Sequence, residues 1–155
     1  MIEIKKILVP VDFSEVAPLV AKWAKDFAKK LEAKIYLIYI LEDLTGLESI
    51  YIDQQILINL EKELLEGAKK SMEEFVKSNF SDFEDLEIII KSGDVVEKII
   101  ETATEKEVDL IVMGTHGRKG LDRILFGSVA EGVVKNSPIP VVTLNPYRGL
   151  KEKLL

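Results

Sequence analysis

Residues that could bind an anion are concentrated in one short stretch in the second half of the chain. Gly114, Gly117 and Gly127 follow the spacing G-x2-G-x9-G, and Ser128 comes directly after the last glycine. Glycine has no Cβ and tolerates positive φ, so it lets backbone N–H groups approach a ligand closely. An apolar run ends at Met113, which places the motif where a strand gives way to a loop. The pattern indicates a backbone site for phosphate.

Two further features favour phosphate binding at this motif. Ser128 and Glu131 form an S-x-x-E pair, typical of a capping box at a helix start, where free N–H groups and the helix dipole attract anions. Arg118, Lys119 and Arg123 bring positive charge to a chain whose net charge is −6. Each feature alone is also explained by a turn, a cap or a solvated loop. The spacing matches neither a P-loop nor a Rossmann dinucleotide fingerprint.

Alternating strands and helices must position this motif. Short continuous apolar runs predict five buried strands, at residues 4–11, 35–41, 86–91, 108–113 and 139–144. Helical periodicity fills the intervals, with N-caps expected at Ser14 and Asp94. This order predicts an α/β fold, an open parallel sheet with helices on both faces. In such sheets, ligands bind at the carboxyl ends of strands where the strand order reverses.

The second helix is the longest, and its apolar side chains recur at helical spacing. The residues expected on its buried face are Ile56, Leu57, Leu60, Leu64, Ala68, Met72, Phe75 and Val76.

Two other residues near strand ends have chemical potential. Asp12 could contact a ribose, hold Mg²⁺ through water, or cap the turn that follows its strand. His116 stands between two loop glycines, with no carboxylate or hydroxyl partner evident nearby in sequence. It is expected to be a loop residue near phosphate or in solvent, rather than part of a catalytic triad.

Composition excludes several classes of protein. The chain has no cysteine and a single histidine, which excludes thiolate zinc sites, iron–sulfur clusters and multi-histidine metal sites. A net charge of −6 and a pI near 5.0 argue against a nucleic-acid-binding surface. There is no signal-peptide pattern and no apolar stretch approaching the ~20 residues that span a bilayer. The expectation is a cytoplasmic protein without nucleic-acid or membrane partners.

The run from Val9 to Ser14, the long second helix and the G-x2-G-x9-G-S motif together resemble the universal stress protein family, in its ATP-binding branch. The resemblance covers residues 5–145 in matching element order. It implies a five-stranded parallel sheet of order 3-2-1-4-5, the Rossmann-like fold of adenine nucleotide alpha hydrolases. It also implies a domain over residues 1–146 followed by a tail over residues 147–155.

The resemblance implies a specific binding site for ATP, ADP or AMP. Pro10 and the backbone of Ile40 would hold adenine, Asp12 and Gly114 would face the ribose, and the glycine motif would surround the phosphates. The full set of cofactor-binding residues is Pro10, Val11, Asp12, Ile40, Met113, Gly114, Thr115, His116, Gly117, Arg118, Lys119, Gly127, Ser128 and Val129. A homodimer is implied through the fifth strand, at Val141, Val142, Thr143 and Leu144.

Three functions follow as alternatives. The first is a homodimeric ATP-binding switch in a stress response, with little or no turnover and no catalytic residue. The second is a slow Mg²⁺-dependent ATP hydrolase or phosphotransferase, with Asp12 holding the metal through water. The third is a structural dimerisation module without nucleotide.

Overall fold

The structure, a computed structural model, describes residues 1–44, 51–116 and 127–147. Strands and helices alternate as predicted, in the order β1 (Lys6–Pro10), α1 (Ala17–Leu31), β2 (Lys34–Glu42), α2 (Gln54–Asn79), β3 (Leu86–Gly93), α3 (Val95–Glu105), β4 (Leu110–Gly114), α4 (Ser128–Asn136) and β5 (Val141–Leu144). β1, β4 and β5 each begin two residues later than expected. Before β4, for example, Val108 N–H closes the end of α3 by donating to Ala103 C=O at 3.0 Å.

The five strands form one parallel sheet of order β3-β2-β1-β4-β5, which confirms the predicted fold class and the strand order implied by the family resemblance. Buried side chains of α1 and α2 pack on one face of the sheet, and those of α3 and α4 pack on the other. Both faces are therefore covered, which explains why the strands are continuous apolar runs.

No helix among the described residues combines the length and hydropathy that a bilayer-spanning segment requires.

Helix α1 does not begin at the predicted cap. Its N-cap is Val16, and Ser14 lies in the preceding turn, where its N–H donates to Asp12 Oδ1 at 3.0 Å and its C=O accepts from Ala17 N–H at 3.1 Å. The Ser14 cap was wrong because the chain turns through Phe13, with φ of +58°, before the helix starts. The predicted Asp94 cap is confirmed: its carboxylate accepts from Glu97 N–H at 2.8 Å.

Helix α2 buries only part of its apolar face. Ala68 and Met72 are buried as predicted, whereas Ile56 and Leu64 are 59% and 40% exposed, so the predicted burial of these two is wrong. At 26 residues the helix is about 39 Å long, against about 30 Å for the nine residues of β2. The helix is longer than the sheet that it covers, and no side chain in its first half is fully buried.

A charge cluster ties together the amino ends of two strands and the end of α3. Lys106 Nζ and Lys34 Nζ donate to the two carboxylate oxygens of Glu87, at 2.7 and 3.0 Å. These two hydrogen bonds hold the pKa of Glu87 below its usual range, and the one from Lys106 has the larger effect. This cluster lies at the amino edge of the sheet, opposite the edge where ligands bind in α/β folds.

Candidate functional site

The sheet opens between β1 and β4 at its carboxyl edge. β1 pairs with β4 at Ile7 and Leu8, and the strand ends at Pro10, which has no N–H to continue the ladder. From there the chain enters α1 on one face, while β4 leads to α4 on the other face. This is the point where the strand order reverses. It holds a cavity of about 770 Å³.

Backbone groups of β2 face this cavity beyond the end of β1. Lys34 N–H donates to Lys5 C=O at 2.8 Å, and Ile38 C=O accepts from Val11 N–H at 2.9 Å. The peptide groups of a strand alternate between its two neighbours, so those of even-numbered residues of β2 face β1. The next even residue is Ile40, which lies past the end of β1. Its N–H and C=O therefore point into the gap.

The turn between β1 and α1 fixes Asp12 at the cavity wall. Asp12 Oδ1 accepts from Ser14 N–H, which makes an Asx turn. Phe13 then adopts a positive φ that is unfavourable for a bulky residue. Its ring lies 4.5 Å from the ring of Tyr39 and 5.9 Å from that of Phe75, measured between centroids. Aromatic packing thus stabilises the strained turn that places the carboxylate.

Backbone hydrogen bonds connect Thr115, directly after β4, to the end of β5 and to the start of α4. Thr115 N–H donates to Leu144 C=O at 2.8 Å, and Thr115 C=O accepts from Gly127 N–H at 2.7 Å. A Cβ at Gly127 would lie 3.1 Å from the same carbonyl oxygen, and one at Gly114 would lie 3.1 Å from His116 C=O. Both glycines are therefore favoured by close approach of the backbone rather than by an unusual φ.

Helix α4 begins one residue earlier than the capping box predicted. Gly127 is the N-cap, no side chain caps the helix, and Ser128 is the first helical residue. Glu131 pairs with Lys135 at 2.7 Å instead of folding back. The S-x-x-E prediction is wrong because glycine takes the cap position. The first N–H groups of α4 are left without a capping side chain, and an anion could bind them.

His116 has a hydroxyl partner that the sequence analysis did not find. Its Nδ1 lies 2.7 Å from Thr115 Oγ1, and Thr115 is buried. The two residues are adjacent in sequence, but neighbours in an extended chain point in opposite directions, so adjacency gave no signal. The expectation of an imidazole without a hydroxyl partner is wrong.

Most of the predicted site residues come together around this one cavity. Those that line it are Pro10, Val11, Asp12, Ile40, Met113, Gly114, Thr115, His116, Gly127, Ser128 and Val129. Gly117, Arg118 and Lys119 lie outside the described residues. An apolar wall at the start of α1 and on α3 was not predicted from the sequence; it is formed by Val16, Ala17, Val20, Val95 and Ile99. These residues could have been predicted only from their place in the fold, because they lie on or next to helices that flank the point where the strand order reverses.

Comparison with known proteins agrees with the fold and with the family resemblance. The model of the universal stress protein family matches residues 3–145. Universal stress protein MJ0531 of Methanocaldococcus jannaschii is 39% identical over 146 residues, covering 90% of this chain and 81% of that protein. Universal stress protein MJ0577 of the same organism is 33% identical over 156 residues, covering 90% of this chain and 94% of that protein.

Solved structures give the same result. That of MJ0577 superposes with a TM-score of 0.81 at 33% identity, covering 93% of this chain and 97% of that one. A universal stress protein of Archaeoglobus fulgidus, solved in complex with dAMP, has a TM-score of 0.62 at 23% identity, covering 92% of this chain and 98% of that one; this likeness is one of fold. The matched family model and the identity to MJ0531 together show that this chain belongs to the universal stress protein family.

Proposed function

We propose that this chain is an adenine-nucleotide-binding module that acts as a homodimeric switch in a cytoplasmic stress response, with little or no turnover. The observation that carries the proposal is the convergence of backbone groups from the ends of β2 and β4 and the start of α4 on one cavity. Its volume of about 770 Å³ falls within the ~300–1,000 Å³ of small-molecule sites. The A. fulgidus protein of the same fold was solved with dAMP.

The peptide groups of Ile40 suit adenine. Adenine presents a donor at its exocyclic amine and an acceptor at N1, so one residue offering both a C=O and an N–H can bind both. Guanine presents an acceptor and a donor in the reverse order at the same positions. The site should therefore prefer adenine to guanine. Asp12, fixed by its Asx turn, would accept hydrogen bonds from ribose hydroxyls.

The start of α4 suits phosphate. Its N–H groups have no capping side chain, and Gly127 leaves them accessible. Phosphate oxygens would act as the missing cap, stabilised by the positive end of the helix dipole.

Two of the carboxylates that line the cavity, Asp12 and Glu131, favour a switch over a hydrolase. Asp12 Oδ1 accepts from a backbone N–H, and Glu131 pairs with Lys135. The hydrogen bond from Lys135 holds the pKa of Glu131 below its usual range, which makes that carboxylate a weaker general base. Among the described ranges no group of three or more acidic, histidine or cysteine side chains could hold a metal. Any Mg²⁺ would be held by the nucleotide phosphates, with Asp12 reaching it through water.

The test is the stability of the full chain with nucleotide. ATP at one hundred times its dissociation constant is expected to raise the free energy of unfolding by about 2.7 kcal/mol, because it binds only the folded state. Urea unfolding with and without ATP measures this, and GTP is the matched control, expected to stabilise less. No heat of binding for ATP, ADP or AMP at millimolar concentration would contradict the proposal and favour a structural module.

The dimer should form through the outer edge of β5. Ile111 N–H donates to Pro140 C=O and Thr115 N–H to Leu144 C=O, so even-numbered residues of β5 face β4. The N–H of Thr143 therefore points outward, to the edge that lacks a neighbouring strand in the described sheet.

Thr143→Pro removes this outward N–H and leaves the ladder to β4 intact. It is expected to convert the dimer to a monomer in sedimentation velocity, whereas Thr143→Val, which keeps the N–H, should remain dimeric. A monomeric parent, or a Thr143→Pro variant that stays dimeric, would show that this edge does not form the interface.

A further inference from the structure

The ring of Tyr147 packs against the ring of His116 at the cavity. The two ring centroids are 5.6 Å apart, and the ring planes are nearly perpendicular, at 84°. Edge-to-face geometry of this kind is a favourable aromatic arrangement. His116 lines the cavity, whereas Tyr147 is the first residue of the tail, residues 147–155, that the family resemblance implies.

Backbone contacts between the ends of β4 and β5 bring the two rings together. Thr115, which precedes His116, donates its N–H to Leu144 C=O at the end of β5. The chain then passes through buried Pro146, and Tyr147 N–H donates to Asn145 Oδ1 at 3.0 Å. The Asx turn and the proline restrict the backbone between β5 and Tyr147. The ring contact is thus built by two adjacent strand ends.

The imidazole is held on two sides. The Thr115 hydroxyl contacts Nδ1 at 2.7 Å, and the Tyr147 ring packs against the imidazole ring. The polar atom that remains is Nε2. With the hydroxyl donating to Nδ1, a neutral ring carries its proton on Nε2 and can donate it to an anion.

From this geometry we propose that Tyr147 is a positioning residue of the nucleotide site: it clamps the His116 imidazole against Thr115, so that Nε2 donates to the phosphate chain of the bound nucleotide. The inference rests on the proposed function, and it extends the site to a residue beyond β5. Because the ring acts through His116, its loss affects ligands that carry phosphates and leaves adenosine binding nearly unchanged.

The experiment uses the full chain, in which His116 is the single histidine, so its ring signals in an NMR spectrum are identified without assignment. Tyr147→Leu is expected to shift these signals in the ligand-free protein, since the ring current of the tyrosine is lost. It should weaken ATP binding by about three- to tenfold, the worth of one aromatic pair. Tyr147→Phe should restore the ring signals and the affinity, and Tyr51→Leu, at a fully exposed tyrosine, is the matched control.

A double-mutant cycle tests the route through the imidazole. In a His116→Ala background, Tyr147→Leu should cause no further loss of ATP affinity. Equal ATP affinities of the parent and Tyr147→Leu, an equal loss for ATP and adenosine, or additive losses in the cycle would each overturn the inference while the proposed function stands. A parent chain that binds no adenine nucleotide would overturn the proposed function itself and, with it, the role of Tyr147.

Discussion

Gly127→Val is expected to weaken ATP binding by about a hundredfold or more, which corresponds to about 2.7 kcal/mol. A Cβ at this position lies 3.1 Å from Thr115 C=O, which already accepts from Gly127 N–H at 2.7 Å. The branched side chain must push the start of α4 away from the end of β4. It also occupies the space beside the N–H groups that would bind phosphate. The substitution therefore both displaces the N–H groups of the proposed phosphate site and blocks access to them.

Isothermal calorimetry on the folded variant measures this loss, with circular dichroism to verify the fold. Gly127→Ala should lose less, because its neighbour needs to move by only a few tenths of an ångström. Gly67→Ala is the matched control, since a Cβ there meets no atom within 4 Å. It should leave ATP affinity unchanged and stabilise α2 by about 1 kcal/mol. A folded Gly127→Val variant with parental affinity would refute the assignment of phosphate to the start of α4.

Gly132→Val is expected to destabilise the protein by about 2–3 kcal/mol. Gly132 lies on α4 where it meets α3, and a Cβ there would lie 2.8 Å from Val96 Cγ2 and 3.2 Å from Val96 Cγ1. Contacts this short force the two helices apart. Both helices pack on the same face of the sheet, so the core under them loses contacts as well.

Urea unfolding of the variants measures the loss of stability, and a substitution at Val96 provides the control. Val96→Ala removes the methyl groups that the new side chain would meet, so the double variant should recover most of the stability lost in Gly132→Val. Losses that simply add would show that the strain does not arise at this contact.

The sequence predicts the elements well because their signals are local. Buried strands of a parallel sheet read as short apolar runs, and each run found in the sequence is a strand of the structure. The order of the strands in the sheet has no such local signal. Alternation of strands and helices indicates a parallel sheet, but the order 3-2-1-4-5 came from the family resemblance rather than from periodicity.

Helix starts were the weak point of the prediction. Ser14 and Ser128 are both common capping residues, yet neither caps its helix. At Ser14 the cause is the left-handed turn at Phe13, and at Ser128 it is the glycine before it, which takes the cap position. The turn at Phe13 depends on backbone conformation and has no signature in residue types. At Gly127 and Ser128, two residues that can each occupy a cap position are adjacent, and residue type alone does not choose between them.

In the candidate site, too, local features could be predicted from the sequence and long-range contacts could not. Residues at strand ends could be predicted, because parallel strands place their carboxyl ends at one edge. The contact between His116 and Tyr147 could not, since it joins two loops through the pairing of β4 and β5. Pairing between strands is a property of the folded sheet and has no signature within either loop.

Because α2 is longer than the sheet that it covers, its two halves differ in local stability. Its last turns, around Met72 and Phe75, pack into the core, so their hydrogen bonds open only when the whole domain unfolds. Between Gln54 and Gly67 no side chain is fully buried, although Leu57 and Leu60 are half-buried, and helices of that length are marginal in water without extensive packing. They can fray and re-form while the sheet stays intact, so amide protons there exchange with solvent far sooner than those near Met72.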